Sequence, residues 1–476
     1  MSKKIISNFI ALLTGQLVSQ LFSFFSFIVL ARFISVEEFG FLGYQLSVIA
    51  IIAKFQEIIP NAVILRDYSE LPDKKLLDIS LSVRLIFLFL SIVAVNSISF
   101  FENYNTGYFL SFNILCLNIL ASSKLDSLRQ NIEVPYKASM QNWLPTLAII
   151  LENSIFFVLI LLLGLYDSGV FLLFCVIYTS INFIGFIMLV LNLKSKFHYR
   201  YAFRLDGSWE LVKKGFPIFV FGFVTIIYSQ LDYSVLRFFG RENELGLYGA
   251  ALRLTAPLLF LPGVMIYSII PIIMQKSDQK TSDSNNLLVN ISVKTISIIF
   301  SFICFVAFFK GDDLLVLVFG AKYSSAFSAL ALLMVSQFFL AVIFLLTNIY
   351  VGYKNNSAML NSAIIYTVIS LIIMFALVQN YGMDGIAFSK LIGTFISLVY
   401  ILTIGWKRYG LSYSNKLTGV FTIGFISFIS FLMRNESLFI FVLSDFAAMV
   451  LLLFLTGVYS SDEKKLLINA VTKIWK

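Results

Sequence analysis

Charged residues are scarce in this chain. Asp, Glu, Lys and Arg make up 13% of its 476 residues, about half the share of a soluble domain, which runs near 25%. Histidine occurs once, as His198, and proline 8 times. The three cysteines, Cys116, Cys175 and Cys304, lie far apart in apolar runs with no C-x-x-C spacing. They form neither a disulfide framework nor a metal cluster and read as small buried hydrophobes. No GxxxxGK[ST] or HExxH occurs, and no histidine lies in an apolar run to serve a triad. Phosphate-loop ATP hydrolysis and zinc hydrolysis are therefore not encoded. In place of charge stand 59% hydrophobic residues with 51 Phe, for a mean hydropathy of +0.90. No water-soluble core absorbs that content, and disorder requires few aromatics and high charge. The sequence is that of a polytopic membrane protein. Its net charge of +9 belongs to membrane topology rather than to nucleic acid, since cytoplasmic loops collect Lys and Arg.

A helical span needs about 20 mainly apolar residues. Such runs fall at roughly 8–31, 40–60, 79–101, 107–123, 143–164, 169–191, 216–239, 246–273, 288–309, 326–350, 360–379, 385–405, 417–433 and 437–458. Each is too long for a membrane strand, so the expectation is an all-α bundle of about 14 transmembrane helices. With the N-terminus placed in the cytoplasm and the spans alternating, 24 of the 35 basic residues fall in cytoplasmic segments and 5 in external ones. The other six, Lys54, Arg84, Arg237, Arg253, Lys294 and Lys390, lie within spans. This split satisfies the positive-inside rule and places both termini in the cytoplasm.

The two halves of the chain resemble each other. VLARFISVEEFGFLGY (Val29–Tyr44) corresponds to VLRFFGRENELGLYG (Val235–Gly249), aligning Arg32 with Arg237, Glu38 with Glu244 and Gly40 with Gly246. Pro60 and Pro271 end the second span of each half, and Arg84 and Lys294 follow 24 and 23 residues later. Tyr136-Lys137 and Tyr353-Lys354 open the fifth spans, and Gly169 and Gly385 follow Tyr166 and Tyr381 near the sixth. Five ordered matches at offsets of 205 to 217 predict two six-helix lobes. An even number of spans gives both the same orientation, related by a pseudo-two-fold along the membrane normal. The expected organisation is an N-terminal lobe at 1–192, a basic cytoplasmic linker at 193–214, a C-terminal lobe at 215–406, and two further helices with a cytoplasmic tail at 407–476. Asp206-Gly207-Ser208 supplies turn residues in the linker.

Six segments stand out in order: N-x₆-GQ-x₁₃-LAR-x₅-EFG (Asn8, Gly15, Gln16, Leu30–Arg32, Glu38–Gly40), WELVKKGFP (Trp209–Pro217), Asp232, LGLYGAALRL (Leu245–Leu254), LLVLVFGAKYSSA (Leu314–Ala326) and YGMDGIA (Tyr381–Ala387). Together they resemble the polysaccharide flippases of the multidrug/oligosaccharidyl-lipid/polysaccharide exporter superfamily. The resemblance covers about 8–405. It implies a V-shaped exporter fold without enzymatic chemistry. The implied activity is transfer of an undecaprenyl-diphosphate-linked oligosaccharide across a bacterial cytoplasmic membrane, with a polymerase and other glycan-assembly proteins as partners beside the membrane lipids. No cofactor is implied.

A diphosphate and a polar glycan need a cation-bearing passage through hydrocarbon. Ionisable groups in spans are the candidates, because each costs roughly 2.5–3.5 kcal/mol to insert. Arg253, about 12 Å into its span at 1.5 Å per residue, is the leading phosphate ligand, since a guanidinium grips phosphate in bidentate fashion. Lys54, Arg84, Lys294 and Lys390 lie close enough to span ends to snorkel, so each reads as an interfacial anchor or as a cavity group. The family resemblance supports basic residues on the second and eighth spans, the places of Lys54 and Arg253. Gln16, Ser19, Gln20, Ser23 and Ser26 form a polar stripe on one face of the first helix, suited to sugar hydroxyls or to helix packing. Arg32 and Arg237 are candidates to gate an external mouth with Glu38 and Glu244. Asp232 and Glu152 are the acids through which a proton or sodium ion would be coupled. Three other functions stay open: a lipid II-type flippase, a drug/cation antiporter of the same superfamily and, disfavoured by short external loops, a membrane glycan polymerase.

Overall fold

The computed structural model describes residues 2–102, 104–164, 170–263, 265–266, 283–353, 355–409 and 430–455, with side chains outside 2–14, 16, 283–286 and 451–455. Among the described residues there is no strand, as expected where lipid cannot hydrate an open backbone. Nine helices there are long and apolar enough to cross a membrane, and Leu17–Phe33, Thr106–Ala121 and Leu438–Val450 are shorter apolar helices. Most of the expected span 417–433 lies outside the described residues, as do Tyr166, Gly169, Pro271 and Lys354 of the repeat and the C-terminal tail beyond 455.

Contacts divide the chain into two compact units, Met1–Gly246 and Leu247–Lys476. In the first, α1 (Ser2–Phe33) packs on α9 (Trp143–Leu163), α9 on α10 (Val170–Lys196), and α10 on α5 (Thr106–Cys116). Phe27, Phe156, Phe174 and Tyr178 interlock where α1, α9 and α10 meet. Only Ile34 and Ser35 join α1 to α2 (Val36–Lys54). The Glu38 N–H donates to Ser35 Oγ and the Ser35 N–H to Glu38 Oε2, both at 3.1 Å. This reciprocal cap starts α2 with two donors satisfied. A short turn at Phe55–Ile58 and Pro60 leads into α3 (Asn61–Glu70), which precedes α4 (Lys74–Phe101).

The first unit includes α11 (Ser208–Phe238), the seventh long apolar segment, because α2 runs antiparallel to it. Gly215 abuts Pro60, Gly222 abuts Lys54 and Gly43 abuts the Tyr233 ring, while Ser47 Oγ donates to Gln230. The seam ends where α12 (Glu242–Thr255) begins. A Cβ on Gly40 would lie 2.4 Å from Gly246 N, and one on Gly246 would lie 2.0 Å from Val36 O. Only glycine at both positions lets these backbones meet. The contact boundary between units thus falls inside α12, C-terminal to the 193–214 segment. Part of that segment is tied to the start of α4: Tyr199 Oη donates to Asp78 Oδ1 at 2.6 Å, and the Arg204 N–H to Ser82 Oγ at 2.9 Å. Burial and the Asp78 carboxylate hold the Tyr199 hydroxyl above its ordinary pKa.

In the second unit, α13 (Asp283–Phe319), bent at Lys310, packs on α14 (Phe327–Gly352), and α14 on α15 (Asn356–Tyr409). At 54 residues, α15 would be about 80 Å long if straight, far beyond a hydrocarbon core of about 30 Å. It folds back on itself. Gly382 breaks the helix at φ 52° and ψ −131°, a conformation that favours glycine. The two halves then pack antiparallel, Gly393 against Tyr366 and Ser370, and Ser397 Oγ donating to Ser362 O. The two halves of α15 thus supply the two expected spans 360–379 and 385–405. The last described helix, α16 (Leu438–Leu455), packs on α13.

Candidate functional site: buried charge in the first unit

The C-terminal end of α2 carries Lys54 into a cluster of charges. Its Nζ bonds Glu57 Oε2, three residues on, and lies 3.1 Å from Asp126 Oδ2. The helix geometry explains the first contact, since i and i+3 share a face. The second needs the 122–127 segment, which follows α6 (Asn118–Ala121) and enters the helix packing with Ser122 and Ser127 fully buried. Gly222 of α11 makes room for the Lys54 ammonium. The Glu57 carboxylate is within hydrogen-bonding reach of Asp126. Burial and that neighbouring negative charge hold the Asp126 carboxyl above the usual aspartate range, against the pull of Lys54.

Arg84 stands behind this cluster with 0% exposure. Its guanidinium donates to Ser127 O at 2.9 Å, Ile59 O at 3.4 Å and Asn61 Oδ1 at 3.0 Å. Asn61 in turn donates from Nδ2 to Gln130 Oε1 at 2.6 Å and from its backbone N–H to Glu57 Oε1 at 3.3 Å. Arg84 therefore joins the bend after α2 to the loop before α7 (Leu128–Ile132).

Glu152, on α9, meets Arg129 of α7, with Nη1 to Oε1 at 2.5 Å. Both are buried, and Gly185 of α10 leaves space for the carboxylate: a Cβ there would lie 1.4 Å from Glu152 Oε1. The Arg129 Nε also contacts Glu133 Oε1 at 3.2 Å, and Glu133 Oε2 pairs with Lys137 of α8 (Val134–Ala138) at 3.0 Å. Buried charges are tolerated when paired and hydrogen-bonded in this way.

At the other end of the seam, Arg237 closes α11 inside a ring of aromatic faces. Its guanidinium carbon lies 4.9–5.2 Å from the Phe41, Tyr44 and Tyr104 centroids. Nε pairs with Glu102 at 2.6 Å and Nη1 with Glu242 at 3.4 Å. The Glu102 carboxylate also accepts from Tyr44 and Tyr104. Glu38 serves the cap of α2 and Glu244 pairs with Arg241. Arg32 is exposed at the end of α1.

The polar stripe of α1 divides. Ser19 accepts from Asn153 Nδ2 at 2.9 Å and Ser26 is fully buried, so both face neighbouring helices. Gln20 is exposed, and Ser23 accepts from Lys124 Nζ at 2.8 Å. The side chain of Gln16 lies outside the described residues. Asp232 is fully buried in α11. In the second unit, Arg253 is half-buried near the end of α12 and Lys294 half-buried in α13, while Lys390 is buried in α15 beyond the Gly382 break. Among the described residues no group of His, Cys, Asp and Glu is placed to hold a metal ion.

Of the expected candidates, the structure gathers Lys54 and Arg84 around one loop and gives Glu152 a counter-ion. The loop residues Lys124, Asp126 and Arg129 and the acids Glu57, Glu102 and Glu133 were not among the candidates. Their sequence, KLDSLRQNIEVPYK (Lys124–Lys137), has the charge density of a solvated loop, and nothing local says that it turns inward. Glu57 had a signal in its i, i+3 spacing from Lys54.

The fold has solved counterparts. A lipid II flippase MurJ, in an inward closed conformation, superposes with a TM-score of 0.70 at 16% identity, covering 94% of this chain and 98% of that one. An inward-facing multidrug resistance MATE family transporter of the MOP superfamily gives 0.64 at 15% identity, covering 83% and 96%. A MOP superfamily transporter from Pyrococcus furiosus gives 0.57 at 15% identity, covering 86% and 96%. Identities this low establish likeness of fold. No curated protein matches the sequence. The family model described as polysaccharide biosynthesis protein matches residues 5–277. That is more than half of this multi-pass helical membrane chain, which therefore belongs to the polysaccharide biosynthesis protein family.

Proposed function

We propose that the protein is a flippase, carrying undecaprenyl-diphosphate-linked oligosaccharide repeat units from the inner to the outer leaflet of a bacterial cytoplasmic membrane. The lobes at 1–192 and 215–406 would work by alternating access, with both termini in the cytoplasm, in assembly of O-antigen, capsule or exopolysaccharide. The observation that supports this reading is the placement of cations in apolar helices of a polysaccharide biosynthesis family member. Lys54, Arg84 and Lys390 are each less than 10% exposed, at a cost that argues for a role in handling an anion. Arg253 and Lys294 complete the cationic set, with Gln16 and Gln20 toward the sugar. Arg32 and Arg237 serve as gates, and Asp232 and Glu152 as proton or sodium carriers. The substrate leaves unchanged, so no covalent step is required.

A lipid II-type substrate is the second reading, favoured by the near-complete overlap with MurJ. Both substrates present a polyprenyl diphosphate. The test is a cell lacking this gene. Wild-type protein should restore surface glycan, and Arg253→Ala should reach the membrane yet restore less than about a tenth of it, since losing a charge-assisted contact costs on the order of 1.5–3 kcal/mol. Full restoration by Arg253→Ala would remove that residue from the site. Rescue of cell-wall synthesis instead of surface glycan would select the lipid II reading.

A further inference from the structure

The cluster at the end of α2 contains more acid than its single lysine requires. Lys54 is held by Glu57 and Asp126 together, and the two carboxylates are themselves close enough to share a hydrogen bond. Two ionised carboxylates at that separation repel, so one of them is the natural seat of a proton. The charged groups facing the pair are Lys54 from α2 and Arg84 from α4; the Asn61 backbone N–H of α3 donates to Glu57, and Gly222 of α11 lies against Lys54. On the same loop Lys124 reaches Ser23, and Arg129 of α7 reaches Glu152. Arg84 interacts electrostatically with both acids, and its buried Nε has no hydrogen-bond partner among the described residues. Protein does not cover the cluster completely: side-chain exposure is 10% for Lys54, 16% for Glu57 and 23% for Asp126.

We propose that Glu57 and Asp126 form a proton-binding site that holds Lys54 until a proton arrives, whereupon Lys54 turns to the diphosphate of the substrate. This rests on the polyprenyl-diphosphate reading above. The step is a protonation only: a hydronium ion of the bulk solvent gives its proton to a carboxylate oxygen of Asp126 and leaves as water, the Asp126–Lys54 ion pair is lost while Lys54 keeps Glu57, and the Lys54 ammonium gains a phosphate oxygen. No covalent bond to the substrate forms or breaks. The raised Asp126 carboxyl agrees with this order of events. Because proton and anion enter together, the net charge brought into the site is lower than that of the diphosphate alone. The proton also removes one of the two acids that would otherwise compete with phosphate.

The test is calorimetry on the purified full chain in detergent, with geranylgeranyl diphosphate as the probe. Titrations at one pH in buffers of different ionisation enthalpy report the protons taken up on binding. Wild-type protein should take up about one proton more per diphosphate than Asp126→Asn, and its affinity should fall about tenfold more per pH unit above the carboxyl pKa. Uptake remaining in Asp126→Asn belongs to the ligand itself. Lys54→Gln should lose at least about tenfold in affinity, as for a charged hydrogen bond. If Asp126→Asn does not fold, Glu57→Gln should also lower the uptake, because it removes the neighbouring negative charge that raises the Asp126 carboxyl. Equal proton uptake by wild type and both variants overturns the inference and leaves the flippase reading standing. Failure of the wild-type chain to bind the probe rejects the diphosphate reading and this inference with it.

Discussion

Arg129→Met takes away a guanidinium and leaves a buried carboxylate facing nothing of opposite charge at contact distance. Glu152 Oε1 accepts from Arg129 Nη1, and Oε2 has no hydrogen-bond partner among the described residues. Removing one member of a buried pair costs about 3–5 kcal/mol, because the survivor keeps its desolvation penalty. The opposite change is milder. In Glu152→Gln, Arg129 retains Glu133 at 3.2 Å and Ala121 O at 3.4 Å, so the loss should be about 1–3 kcal/mol. Replacing both residues by Met removes both charges, and such exchanges are often neutral or better. At about 2–4 °C per kcal/mol for a unit of this size, Arg129→Met should lower the detergent melting temperature by on the order of 10 °C. Glu152→Gln should lower it by about half as much or less, and the double Met variant should lie above Arg129→Met. Fluorescence-detected size-exclusion melts would rank the three. Equal losses for the two single variants, or a double variant worse than either, would refute the view that paired charge rather than packing holds α7 to α9.

Two further variants test backbone rather than charge. Met140 lies at φ 54° just beyond α8, where the Met140 N–H meets Lys137 O and the Gln141 N–H meets Tyr136 O. That is the Schellman closure that Gly240 makes after α11. Glycine is the usual residue there, and the Met140 side chain is exposed, so Met140→Gly should stabilise the protein by about 1 kcal/mol, seen as a rise in the same melt. Gly40→Ala places a methyl against the Gly246 backbone and should cost about 1–3 kcal/mol through overpacking. It should also slow disulfide formation between Val36→Cys and Leu245→Cys, and an unchanged rate would mean the two backbones do not meet.

The fold was largely legible because its determinants are local. An apolar run of about 20 residues has few options other than a spanning helix. Gly40 and Gly246, aligned in the sequence as equivalents of two expected lobes, meet backbone to backbone. The charged site was less legible for a physical reason. Lys124, Asp126 and Arg129 lie within six residues and look solvated, and their inward turn depends on partners far away in sequence: Ser23, Lys54 and Glu152. Arg84 shows the converse. Its position in an apolar run flags it, but nothing in the sequence reveals that its Nη1 and Nη2 donate to Ser127, Ile59 and Asn61.

Partner chemistry, more than depth or charge, ranks the cations of the first unit. Arg84 donates to two carbonyls and an amide, groups that never titrate near neutrality, so no change of protonation releases it, and moving it would unpin the bend after α2. Arg129 is held by two acids but has no exposed surface, so an anion could reach it only after α7, α9 and α10 part. Lys54 differs in both respects: its partners are carboxylates with 16% and 23% of their side chains exposed, and one of them resists ionisation. A flexible ammonium between two partly exposed acids can change partner without disturbing a helix. On that reasoning Arg129 keeps the shape of the unit, Arg84 is a fixed positive charge beside the cluster, and the mobile charge that meets a substrate is Lys54, one of whose counter-ions can take up a proton.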